Sequence, residues 1–320
     1  MIPPLSQTLV RAGRTPRVSR ATWRNGIDTG NAPSMAIFRN WYSTATEHHH
    51  IDLRCTLPAS LEIPTRASNQ SRAIYLYNTG HAYLGFYKTG IKNVFSSYRD
   101  SRALRRTLQV RSGNATVSEK ELAAQGLITR SEFQLLYRSR HDILRVPFFV
   151  VICTLTGELA PLVVLLLANQ VPWTCRTPRQ LEGKRLKEED RRAKSALRLS
   201  ASAPVESSDD DEMSLSREQL LHASTWLGTH SRHWNPPSFL LRRRLSKRRQ
   251  YLKLDDQLLR KDYASGVSLD GENLRWALSD RGLMVSGKTE EEMRQSLQAY
   301  LNKREKHALY WLISRPFLLS

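Results

Sequence analysis

Between Val146 and Cys175 the chain reads VPFFVVICTLTGELAPLVVLLLANQVPWTC, thirty residues carrying a single charge, Glu158. About 20 apolar residues in a helix suffice to cross a bilayer core. A buried helix of a soluble protein is seldom so long or so apolar. The run is therefore expected to be one transmembrane helix, with Trp173 as an interfacial anchor. Glu158 and Pro161 fall near its middle. An intramembrane carboxyl must be neutral, paired or wet. Pro161 cannot donate back to residue 157, which frees a carbonyl beside the acid. The pair is a functional candidate, either for protons and cations or for an oligomer contact. The bland alternative is a kinked helix whose acid is neutralised by packing.

Charge is the second constraint. The 320 residues hold 49 Lys and Arg against 30 Asp and Glu, a net charge of +19. That excess calls for an acidic partner, nucleic acid or anionic lipid. Residues 1–42 contribute six arginines, no lysine and one acid. Such composition matches a mitochondrial transit peptide; a disordered nucleic-acid-binding arm is the competing reading. Residues 43–89 show no clear pattern and are expected to be poorly structured. Residues 90–145 carry membrane-proximal helices with basic faces, interrupted at Ser112-Gly113-Asn114. Both flanks of the apolar run are basic, so the positive-inside rule gives no orientation.

Residues 176–213 read as a linker, with alternating charges and partial helix expected over 179–199 and then a flexible acidic loop ending in Asp209-Asp210-Asp211-Glu212. That run lacks the spaced ligands and central glycine of a calcium loop. From 214 to 320 a helical pattern resumes. Ser216-x-x-Gln219 and Thr289-x-x-Glu292 are capping boxes. Helix, glycine, loop and second helix occur at Leu220–Leu252 and again at Leu274–Leu301. Stacked helix hairpins of this kind bury a shared core that single helices cannot. The fold class expected is all-α, a single transmembrane helix followed by that helical domain.

The strongest binding feature is the helix after Pro236-Pro237. Arg242, Arg243, Arg244, Lys247, Arg248, Arg249 and Lys253 place seven positive charges in 12 residues with no acid among them. Cations on a rigid helix neutralise phosphates and gain from counterion release. Trp234 and Tyr251 are near enough in sequence to stack on bases. Anionic lipid and plain solvation remain open alternatives. The three cysteines and the His48-His49-His50 run form no metal-ligand pattern, and no cofactor is expected. There is no P-loop and no Gly-rich dinucleotide turn. The chain is not expected to be an enzyme or to take a small-molecule substrate.

The order of these parts resembles a family. The stretch LITRSEFQLLYRSRHDILRVPFFVVICTLTGELAPLVVLLLANQVP, with Pro147-Phe148, Glu158 and Pro161, is similar to the membrane-span region of the LETM family of mitochondrial inner-membrane proteins. Asp255-Asp256, Arg281-Gly282-Leu283 and Thr289-Glu290-Glu291 resemble that family's ribosome-binding domain. The hairpin around Gly282 also resembles the SAP helix–turn–helix, a small nucleic-acid-binding unit. The LETM resemblance implies a single-pass inner-membrane protein with its C-terminal domain in the matrix. It implies binding to mitochondrial ribosomes, support for inserting mitochondrially made proteins, and contact with inner-membrane lipids. It also implies, as the alternative, potassium/proton exchange by a homo-oligomer using Glu158. No EF-hand loop and no long coiled coil follow, so calcium-linked activity is not expected.

Overall fold

The computed structural model describes residues 53–66, 68, 70–113, 117–156, 171–199, 211–232, 234–266, 269 and 271–315. Among the described residues the chain is helical throughout, with no strand. Glu158 and Pro161, the acidic run at 209–210 and the expected leader lie outside them.

α1 spans Arg72–Arg111. Its buried residues Phe86, Gly90, Val94, Ser97, Ser101, Leu104 and Leu108 recur every three or four positions, one stripe of a helix. The helix starts within the segment expected to be poorly structured. Its first fourteen residues bury nothing, which is why their pattern carries no signal; Ile74, Leu76, Tyr77 and Leu84 are exposed. α2 (Glu119–Ala124) and α3 (Arg130–Ile143) are opened by capping boxes, Ser118 with Glu121 and Thr129 with Glu132. Each box satisfies amide groups that a helix start leaves orphaned.

α4 covers Val146–Thr156, inside the apolar run. The expected helix does not continue to residue 175. Trp173–Cys175 is a 3-10 turn, and among the described residues no helix is long and apolar enough to cross a membrane. The turn is held by Asp142, whose carboxylate accepts from the amides of Trp173 (2.8 Å) and Thr174 (3.3 Å). It packs directly on α1 at Gly90. A Cβ there would lie 2.8 Å from Cys175 Sγ and 2.9 Å from the Thr174 carbonyl.

α5 (Pro178–Leu199) occupies the linker stretch in which partial helix was expected, and it is docked on the core rather than free. The correction has a physical reason. Alternating charges disguised residues that are used as fasteners. Arg192, buried, donates to the carbonyls of Trp226 (2.9 Å) and Ser279 (3.1 Å). Glu189 accepts from the amides of Val285 and Ser286. Ser195 bonds His222 Nδ1 at 2.8 Å, and His222 Nε2 meets the Ile313 carbonyl at 3.0 Å. Burial pushes the His222 imidazole below its ordinary pKa, so it sits there neutral.

The remaining helices are α6 (Arg217–Trp226), α7 (Ser238–Ala264), α8 (Gly271–Arg281), α9 (Glu290–Lys306) and α10 (Leu309–Ile313). α6 packs on α7 and α8 on α9, as the repeated pattern predicts. The second hairpin turns at Gly282, where φ is +80°. A side chain there would be strained and would run into the Trp226 indole. One core joins Leu104, Leu108, Phe133 and Leu136 to Leu220, Leu245, Leu258, Leu297 and Tyr310.

A buried ion network crosses that core. Asp255 accepts from Arg130 Nε (2.8 Å) and Arg281 Nη2 (2.7 Å), and from Gln134 Nε2 (2.8 Å). Asp256 accepts from Arg281 Nε at 2.8 Å. Burial by itself would raise the Asp255 carboxyl; Arg130 and Arg281 outweigh it and hold the group well below the usual carboxylate range. Burial pushes Asp256 the other way, against the pull of Arg281, and its Oδ2 has no partner among the described residues.

Two outcomes follow. Arg281→Met removes a fully buried cation from two carboxylates and is expected to destabilise the fold by about 3–5 kcal/mol, read from the midpoint of chemical unfolding. The depressed Asp255 group contributes stability above its unfolded value of about pH 4, and this is lost as pH falls through the native value. Acid titration of unfolding should therefore show a steep loss below about pH 4 that Asp255→Asn flattens.

Candidate nucleic-acid interface

α7 carries the seven basic residues singled out in the sequence, and the fold uses them unequally. Arg242 donates to the carbonyls of Glu212 (3.1 Å) and Leu215 (3.3 Å). Arg249 pairs with the Glu212 carboxylate at 2.6 Å, and Arg248 with Asp280 at 2.7 Å. Arg244 reaches the Thr229 carbonyl and lies 5.3 Å over the Trp234 ring. These four hold α7 to its neighbours. Arg243, Lys247 and Lys253 are exposed to solvent. Asp255, Asp256, Arg281 and Gly282, the motif residues, are buried structural groups rather than contact residues. Tyr251 is buried too, its hydroxyl donating to Asp280 at 2.9 Å.

The concentration of charge appears elsewhere. A cleft of about 1970 Å³ lies between α5 on one wall and α6, α7 and α8 on the other. Fourteen Arg and Lys residues line it against four Asp and Glu. Several of those cations are consumed within the fold, Arg192 and Arg248 among them, and Arg185 pairs with Glu272. Arg179, Lys187, Arg198, Arg232 and Lys247 remain exposed on the cleft's rim. Only Lys247 belongs to the set that the sequence nominated.

One end of the cleft is aromatic. The Trp173 ring stacks on His141 at 3.6 Å and lies 4.9 Å from Trp276. Tyr137 stacks on Tyr251 at 4.2 Å and approaches Trp173 at 6.3 Å. Burial lowers the His141 pKa first, and the bond to Asp142 raises it less, so the imidazole stays neutral and serves as a flat stacking partner. A groove with cations on its rim and flat rings at its end is the arrangement used for single-stranded nucleic acid, where phosphates are neutralised and bases stack. Sequence reading missed this site because its two walls lie some 60 residues apart along the chain, and because α5 read as a linker. The leucines at 181 and 199, five helical turns apart and so on one face, were the available signal of a docked helix.

Among the described residues no cluster of His, Cys, Asp and Glu could hold a metal ion.

Comparison with known families fits this architecture. The pentamidine resistance factor domain matches residues 70–263, well over half of the chain. The chain belongs to that family. Its match begins within two residues of the start of α1 and ends at the last turn of α7. The LETM1-like ribosome-binding domain matches residues 211–317, covering α6 to α10. The LETM likeness read from Asp255-Asp256 and Arg281-Gly282-Leu283 is thereby shown, whereas the family covering the first match was not foreseen. No curated protein and no solved structure matches the chain.

Because α5 forms one wall of the cleft and is pinned by Arg192, removing that pin should open the site. Arg192→Met is expected to lower stability by about 1–3 kcal/mol, because the buried Trp226 carbonyl loses its donor while the Ser279 carbonyl keeps the Gly282 amide. Amide exchange in α5 should accelerate more than in α9.

Proposed function

We propose that this protein binds the mitochondrial ribosome at the inner membrane, with the α5–α7 cleft as its contact for ribosomal RNA. The observation that carries the reading is the basic cleft itself, built partly from a domain of LETM1-like ribosome-binding type. Exposed cations on two facing walls can neutralise successive phosphates, and the ring cluster around Trp173 offers a stacking surface for an unpaired base. The arginine-rich, acid-poor residues 1–42 support import into mitochondria, and the apolar run from Val146 supports a membrane setting. A ribosome held at the membrane delivers its nascent chain where insertion occurs, which connects binding to the biogenesis of membrane proteins. Cation exchange through Glu158 draws no support from the described residues, so ribosome binding is the reading proposed.

The test is salt-resolved co-sedimentation of the detergent-solubilised full chain with mitochondrial ribosomes. Reversing Lys187, Arg198 and Lys247 to Glu should weaken association tenfold or more at moderate salt. It should also reduce the salt slope by about 1 for each phosphate that is no longer neutralised. Reversing Arg243 and Lys253, which lie outside the cleft, should change it far less. Unchanged sedimentation of the triple variant would overturn the proposal.

A further inference from the structure

The apolar run begins and ends in the same place. Asp142, at the end of α3, holds the amides of Trp173 and Thr174. His141 stacks on Trp173. Phe149 of α4, Val171 and Cys175 share one buried cluster with Phe86 and Tyr87 of α1. A helix crossing a bilayer once would carry Phe149 and Val171 to opposite faces, about 30 Å apart. The rest of the molecule agrees with the contact rather than the crossing. Helices before the run (α1, α2, α3) and after it (α6 to α10) are packed into one continuous core. A single crossing cannot connect two halves of one core.

Only residues 150–170 separate Phe149 from Val171. We propose that the helices before and after the apolar run lie on one and the same face of a bilayer, with the exposed side of α4 set into that face, so that the protein is a one-sided membrane protein. The inference rests on the membrane setting proposed above and changes its topology.

Two further observations fit a lipid surface as the occupant. On α4 Phe148, Val150, Val151 and Leu155 are exposed, Leu155 at 81%. No other described part of the chain places four large apolar side chains in the open within eight residues. At the foot of the run stand Arg145 and Arg176, both drawn below their ordinary range, Arg176 to about 10 by burial and then by the charge of Arg145. Arg145 Nη1 is buried without a partner among the described residues. Arg140 and Arg179 are exposed beside them in sequence. Arg176 is buried and donates to the Val171 carbonyl at 3.3 Å, so the exposed Arg140 and Arg179 are the cations placed to meet the phosphate layer of a bilayer whose core takes the apolar face of α4.

The experiment compares two single-cysteine variants of the full chain, Arg106→Cys on α1 and Glu305→Cys on α9, with Cys55, Cys153 and Cys175 replaced by Ala. Sealed inner-membrane vesicles are treated with a membrane-impermeant maleimide before and after permeabilisation. Both sites should respond together, in either orientation of the vesicles. One site reacting before permeabilisation and the other only after it would overturn the proposal in favour of a single crossing. Flotation with vesicles of phosphatidylcholine and cardiolipin separates this from failure of the membrane reading. The parent chain should float. Val151→Asp with Leu155→Asp, both exposed and outside the core, should cut flotation at least tenfold while leaving the circular dichroism unchanged. A parent that never floats removes the membrane setting itself, and a double variant that floats like the parent overturns α4 as the inserted face.

Discussion

Asp255 is a fully buried carboxylate held by two arginines from either side of the apolar run, Arg130 from α3 and Arg281 from α8. A charge in that position has no solvent to fall back on. If either arginine is displaced, an uncompensated ion remains in the core, and this costs far more than the pair contributes. The network therefore acts as a constraint on arrangement. It requires α3, α7 and α8 to meet at one point, and so requires the segments before and after the apolar run to fold together.

Much follows from that meeting. α3 sits at the centre with polar groups buried on several faces, and each finds a partner on a different element. Glu132 pairs with Arg111 of α1, Gln134 bonds Tyr251 and Asp255 of α7, Arg138 reaches Asn273 of α8, and Asp142 caps the turn at Trp173. The same turn supplies the aromatic end of the basic cleft and returns the apolar run to its starting point. The candidate RNA contact and the candidate membrane contact thus lie close together, linked through Asp142, His141 and Trp173.

The positive charge of the chain divides along the same lines. In α7 four of the seven nominated residues are spent on carbonyls and carboxylates of neighbouring segments, and three reach solvent. A run of arginines in sequence is indistinguishable from a binding helix until their partners are seen. Glu212 shows why. It stands in what reads as an acidic linker, yet it takes Arg249 and the Tyr310 hydroxyl and so helps to fasten α10.

Local signals were legible where their cause is local. Ser118, Ser216 and Thr289 cap helices through residues three positions on, and Gly282 turns because it lacks a side chain; the box of Thr129 with Glu132 is as local, yet that helix was expected only from Ser131. The apolar character of 146–175 was equally plain, since it depends on composition alone. The start of α1, the docking of α5, the partners of Asp255 and the cleft depend on groups distant in the chain, and no period in the sequence encodes them. The sequence by itself determined that the chain is helical, basic and of LETM type in its C-terminal part, because caps, spacing and motif residues act over a few positions. Only the tertiary structure decided which cations are free to meet a partner and that the apolar run returns to its origin, because a buried charge chooses its partner by proximity in space.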